Sequence, residues 1–351
     1  MRTAAATGFL LALLLSVQGS EAQIPTDAVA PLFASHEPLR LRIEADFHGL
    51  AGDRGEDEEE RDGRLIVVEE DGSETAYPLE VRTRGRFRLK RKTCSFPPLR
   101  LDVPRSRMEG SVFEGQDKLK LVTHCRDGDE FQQNVFQEYL IYRFYNLLTP
   151  RSLQVRLAFI TYADPASDDA PLERFGFLIE SEEAIAGRLS GAVLDPEEEP
   201  GGMVHPARTR GEDTGRIALF QYLIGNTDFS LYYGHNAVLL ELDGHRVVPV
   251  PYDFDFSGLV DARYASPAPE VGTRNVRQRV YRGICRPDID YPALYQRFLD
   301  HREEMAALVL QEPLLAAEER REMLDYLDEF WAVLRDPDEA RKRIQEACRP
   351  I

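Results

Sequence analysis

Between positions 39 and 122, apolar and polar residues alternate in short runs that end in Gly, Asp or Pro. Leu39 to Ile43, Leu65 to Val68, Val81 to Leu89, Leu99 to Val103 and Lys118 to Val122 therefore predict half-buried strands, because side chains two apart share one sheet face. Phe131 to Leu148 switches to helical spacing, started by Asp127-Gly128-Asp129 and stopped by Thr149-Pro150. Val155 to Tyr162 and Phe175 to Ile179 return to strand. After Glu180 the pattern is mostly helical, with Thr214 to Ile224, Tyr291 to Leu310 and Leu315 to Leu334 as the clear cases. Two short strands, Ala237 to Leu242 and Arg246 to Val250, interrupt it. Strands first and helices second predict an α+β layout with its boundary near Glu180.

The first 22 residues fall outside this pattern. Arg2, the apolar run Phe9 to Val17 and then Ser20-Glu21-Ala22 read as a signal peptide cleaved before Gln23, with no Cys after the run to carry a lipid anchor. No other stretch approaches the length of a transmembrane helix, so a secreted or periplasmic protein is expected. Four cysteines suit an oxidising compartment and allow three pairings. Cys94 with Cys125 and Cys285 with Cys348 are favoured, because each pair then stays within one half of the chain. No CxxC spacing points to zinc.

About 330 residues after cleavage suit two lobes meeting at a cleft, 23 to 180 and 181 to 351. A net charge of -18 argues against nucleic acid as a partner, since phosphate would be repelled over most of the surface. The acidic runs Glu56 to Glu60 and Glu197 to Glu199 read as solvated loops.

Candidate chemistry concentrates between Gly225 and Gly258. The apolar helix ending at Ile224 delivers Asp228 into a polar loop, one strand leaves from Asn236, and the next ends at Asp253-Phe254-Asp255. Phosphoryl transfer from ATP needs a carboxylate to take the hydroxyl proton, and an amide oxygen plus a second carboxylate to hold Mg2+ or Mn2+ against the phosphates. Asp228, Asn236 and Asp253 supply those groups in the chain order of a kinase, with Asp255 as a further metal contact. Each residue alone is ordinary turn chemistry; the combination between buried elements is what carries the reading.

Three other features each have a bland alternative. Arg82, Arg84, Arg86 and Arg88 recur at a period of two around Gly85, so a strand would aim all four at one face. That face suits phosphate, or equally a solvated surface paired with acids. Lys118 and Lys120 share a strand face, and Glu138 lies on the buried stripe of the following helix and needs a partner. A strand lysine contacting nucleotide phosphates and oriented by that glutamate is the expected arrangement, against a plain surface lysine pair. His235 is expected to position the loop rather than act as a base.

These segments resemble the CotH spore-coat kinase family, exported or coat-associated bacterial proteins with an atypical protein-kinase fold. Asn226-Thr-Asp228, His235-Asn236 and Pro251-Tyr-Asp253-Phe-Asp255 are similar to its Asn-x-Asp, His-Asn and Pro-Trp-Asp-x-Asp motifs. Val81-Arg-Thr-Arg84-Gly85 with Leu89 to Lys92, Phe113 to Leu121, Asn134 to Tyr162 and Arg174 to Glu180 resemble its other segments. The resemblance implies a two-lobed, atypical protein-kinase-like fold, with a sheet-rich N-lobe and a helix-rich C-lobe. It also implies Asp228 as the catalytic acid and Asn236 and Asp253 as metal ligands. The chain departs from the family in Tyr252 for Trp, in six residues between Asp228 and His235 where about three are usual, and in the lack of a Gly-rich loop.

The expectation is an exported Ser/Thr kinase with a protein substrate. Asp228 serves as base, Arg84, Lys118, Lys120 and Glu138 form the nucleotide side, and Asn236, Asp253 and Asp255 hold metal. Two alternatives stay open: a pseudokinase acting as a surface or coat binding module, and a phosphohydrolase using Asp253 as nucleophile.

Overall fold

The computed structural model describes residues 29–55 and 59–350. The expected signal peptide and most of the Glu56 to Glu60 run lie outside them.

The alternating first half forms strands β1 (Leu39–Ala45), β2 (Arg61–Val68), β3 (Glu74–Thr83), β4 (Leu99–Asp102) and β5 (Lys118–Val122). Helix α1 (Phe47–Gly52) sits between β1 and β2. Helix α2 (Asp129–Leu148) precedes β6 (Val155–Ala163) and β7 (Leu172–Ile179). The seven strands close into a barrel in the order β1-β2-β3-β4-β5-β7-β6. Every neighbouring pair is antiparallel except the closing one, where β1 runs parallel to β6 with Leu41 opposite Ile160. Inward positions at the period of two, among them Ile43, Leu65, Val81, Leu101, Leu119 and Ile160, fill the interior and are fully buried.

This closure corrects the expected architecture. The chain is not the expected two-lobed, atypical protein-kinase-like fold with a sheet-rich N-lobe and a helix-rich C-lobe; its first half is a closed seven-stranded barrel. Alternation is the same in an open sheet and a closed one, because each strand has one buried face in both. Closure depends on pairing β1 with β6 across more than a hundred residues, which no local pattern encodes.

The outer face of β6 and β7 is apolar as well. Val155, Leu157, Phe177 and Ile179 pack against α2, which is buried on most sides and forms the layer between the barrel and the rest of the molecule. Beyond it lie α3 (Glu182–Arg188), the short β8 (Ala192–Val193), α4 (Gly211–Ile224), β9 (Ala237–Leu242) and β10 (Arg246–Pro251). Helices α5 (Tyr291–Asp300), α6 (Arg302–Gln311), α7 (Ala317–Arg335) and α8 (Pro337–Ala340) follow. Strands β8, β9 and β10 make a second, three-stranded sheet. Helix α4 is buried along nearly its whole length: only Glu212 is exposed, Arg216 and Asp213 are buried as an ion pair at 3.2 Å, and the second half from Ile217 is mainly apolar.

Two local expectations are corrected. The strand expected from Val81 to Leu89 ends at Thr83, and Gly85 turns the chain at φ +84°. The helix expected from Tyr291 to Leu310 breaks at His301 into α5 and α6. Both favoured disulfides are present, Cys94–Cys125 and Cys285–Cys348. Among the described residues no helix is long and apolar enough to cross a membrane.

His124, just beyond β5, is 1 % exposed and stacks on Phe96 with ring centroids 4.6 Å apart. Its Nδ1 is buried without a hydrogen-bond partner. Burial, then the charges of Arg174 and Arg88, pull its pKa down to about 3. Only the unfolded chain then takes up this proton between pH 6.5 and about 3, so the stability it supports is present above 6.5 and lost as pH falls. The expected slope from this residue approaches about 1.4 kcal/mol per pH unit. His124→Phe should flatten the acid limb of a urea-midpoint profile; an unchanged limb would place the acid sensitivity elsewhere.

Candidate functional site

Two turns build the site. Helix α4 ends at Gly225, whose φ of +68° lets Asn226 N–H reach back to the Gln221 carbonyl at 2.8 Å. A Cβ at this position would collide with the Tyr326 hydroxyl, so only glycine fits. The following Asn226 is fully buried, and its Oδ1 accepts the Asp228 N–H at 2.9 Å, fixing where that carboxylate emerges.

The second turn is the pair of ends of the β9–β10 hairpin. Its register sets Ala237 opposite Pro251, so Asn236 and Tyr252 meet and Tyr252 N–H donates to the Asn236 carbonyl at 3.1 Å. Asn236 and Asp253 both adopt left-handed backbone, at φ +51° and +62°, a conformation that Asn and Asp tolerate better than most residues. Side chains of α2 hold this bend. Asp253 N–H donates to the Tyr142 hydroxyl at 2.9 Å, and Phe254 N–H donates to Glu138 Oε1 at 3.4 Å. Phe254 is wedged into the core against Tyr142 and Phe220.

Asp228, Asn236, Asp253 and Asp255 thereby line one cleft of about 460 Å³ together with Arg84, Arg86, Arg88 and Lys120. Asn236 Nδ2 donates to the Asp228 carbonyl at 2.8 Å and to its Oδ2 at 3.2 Å, which leaves Asn236 Oδ1 as the atom available to a cation. His235 Nε2 lies 2.9 Å from Asp228 Oδ1, and that hydrogen bond raises the histidine pKa. Asp255 is buried beneath the Tyr264 hydroxyl, which donates to it at 2.9 Å. Burial and then the neighbouring charge of Asp253 push the Asp255 carboxyl up to about 7. Burial, Asp255 and Asp253 push Glu138 well above the usual carboxylate range. Three acids so close together call for positive charge. Arg84 faces Asp253, and Arg88 faces Asp255 and Glu138.

The expected nucleotide side is rearranged. Arg84 and Lys120 reach the cleft, whereas Lys118 is half exposed on the barrel rim, 3.8 Å from Asp102. Lys120 does not meet Glu138: its Nζ pairs with Glu182 at 2.6 Å and sits 4.5 Å above the Tyr252 ring. Glu138 instead braces the Asp253–Phe254 backbone. Nor do the four arginines share one strand face. Because the chain turns at Gly85, Arg84, Arg86 and Arg88 line the cleft while Arg82 lies 3.6 Å from Glu60. Sequence reasoning missed Tyr142, Glu182 and Tyr264. None carries a motif, and each arrives through a tertiary contact. A separate group of carboxylates, Glu60, Glu80 and Asp102, gathers at the barrel rim, away from this cleft.

The donor set suits a hard divalent cation, since Asn236 Oδ1 and the adjacent carboxylates of Asp253 and Asp255 offer oxygen only. No protein-family model matches the chain, and no curated protein matches it.

Proposed function

We propose that the chain is an exported ATP-dependent phosphotransferase that delivers the γ-phosphoryl group to a Ser or Thr hydroxyl of a polypeptide. The observation that carries this reading is the hairpin register, which sets Asn236 beside Asp253 while Asp228 and three arginines converge on the same cleft. Mg2+ or Mn2+ held by Asn236, Asp253 and Asp255 would offset the charge of the phosphates. Arg84, Arg86, Arg88 and Lys120 supply positive charge and hydrogen-bond donors for phosphate oxygens. Asp228 is the proton acceptor for the attacking hydroxyl. Its carboxylate has about four lone-pair sites and spends two of them on His235 and Asn236, so acceptor capacity remains. The resemblance of the 226–255 motifs to the CotH family supports the same assignment. The leader-like first 22 residues and the two disulfides support export to a secreted or periplasmic location.

A second reading, nucleotide binding without turnover, is favoured by one observation: both Asp228 oxygens already have partners in the protein. ATP labelled separately on the γ-phosphate and on adenine, incubated with the processed protein, Mn2+ and an acceptor, separates the two. Incorporation of γ label, absent from Asp253→Ala, is the expected result. Thermal stabilisation by ATP with neither label incorporated would establish the non-catalytic reading. Adenine label would redirect the mechanism to nucleotide transfer.

A further inference from the structure

A second cavity, of about 640 Å³, adjoins the cleft and has the opposite electrostatic character to the protein as a whole. In a chain of net charge -18, its walls carry Lys90, Lys92, Arg126 and Arg263 and the single acid Asp127. Asp127 lies 3.5 Å from Arg174, which draws its charge away from the cavity. Neither Lys90 nor Lys92 forms an ion pair among the described residues, although Lys90 Nζ lies 5.5 Å from the centre of the Phe87 ring. Arg126 is held in place by donating from Nε to the Thr93 carbonyl at 2.7 Å and from Nη2 to the Lys92 carbonyl. Arg263 lies 3.5 Å from Glu130, whereas Lys90, Lys92 and Arg126 have no acidic partner among the described residues, and cations gathered in this way raise the local concentration of anions.

The two cavities share Phe87 as a lining residue. Its ring lies 5.1 Å from Phe256 on the cleft side and 6.2 Å from Tyr264 on the basic side. A ligand occupying both recesses must be extended and must change character along its length, with a hydroxyl at one end and negative charge at the other. A peptide strand advancing about 3.3 Å per residue passes from one recess to the other in roughly two to four residues.

We propose that this basic cavity is a substrate-docking site that seats the carboxylates of an acidic polypeptide segment, about two to four residues from the acceptor hydroxyl. This inference rests on the phosphotransfer reading for the identity of the hydroxyl, but the charge preference can be tested without any transfer. Fluorescein-labelled peptides carrying one Ser flanked by Glu, by Gln or by Lys are titrated with the processed full-length protein, without nucleotide, and followed by anisotropy. The Glu peptide should bind about tenfold more tightly than the Gln peptide, the scale a few solvent-exposed ion pairs supply, and should weaken with salt. Lys90→Glu/Lys92→Glu should remove that preference, and Arg263→Glu, on a side chain 76 % exposed, provides an independent check should the double variant lose its fold. Equal binding of the three peptides would overturn the proposal, as would tighter binding of an oligonucleotide of the same charge. A charge-selective peptide site with no γ-phosphate incorporation would leave the docking site standing and remove the phosphotransferase reading.

Discussion

Asp228→Asn should lower kcat for phosphoryl transfer by about a hundred- to ten-thousandfold, the range that removal of a positioned general base produces. The substitution keeps the shape of the side chain and a hydrogen-bonding group toward His235 and Asn236, so the loop built on buried Asn226 should persist. What disappears is the capacity to take a proton from the attacking hydroxyl. KM for ATP should therefore change little, because the phosphate contacts proposed above fall to Arg84, Arg86, Arg88 and Lys120, which line the same cleft. His235→Gln should cost far less, since the histidine touches one carboxylate oxygen and is itself more than half exposed. Steady-state rates with γ-labelled ATP check both. An unchanged kcat in Asp228→Asn would show that the proton leaves by another route and that Asp228 is only a structural end to the loop.

The hairpin explains why this part of the site was legible in the sequence and other parts were not. Strand β9 begins at Ala237 and β10 ends at Pro251, so the polar residues immediately outside them, Asn236 and Asp253, must be neighbours once the hairpin closes. Apolar alternation fixes the strands, and the strands fix where these two polar residues stand. Helix α4 works in the same way, because its predominantly apolar second half, Ile217 to Ile224, must be buried and Gly225 must end it. Lys118 and Lys120 show the limit of such reasoning. Period two places them on one face, but only the barrel's curvature and the position of Glu182 decide that Lys120 enters the cleft and Lys118 does not. Gly85 had the larger effect. A glycine at positive φ converts an apparent four-arginine strand into a turn, and the turn brings Arg88 to Glu138, where a lysine was expected.

Arg88→Met is accordingly expected to destabilise the folded protein by about 2–4 kcal/mol, the loss of its hydrogen bond together with the positive charge that acts on two buried acids. Glu138 is 3 % exposed and Asp255 is 5 % exposed, and Arg88 is the cation that acts on both. A rival account credits Arg88 only with its hydrogen bond to the Thr123 carbonyl, which would be worth about 1.5–3 kcal/mol as a bond from a charged donor. The double variant Arg88→Met/Glu138→Gln distinguishes them. The introduced glutamine amide would keep an oxygen for the Phe254 N–H while carrying no charge, so the second substitution should recover part of the loss, with a coupling of about 1–3 kcal/mol between the two sites. If Arg88 serves only Thr123, the two effects should simply add. Urea midpoints at constant slope give the comparison directly. Additivity would mean that Glu138 is accommodated by protonation alone, which its upward-shifted pKa permits, and that the arginine is retained for the cleft rather than for the core.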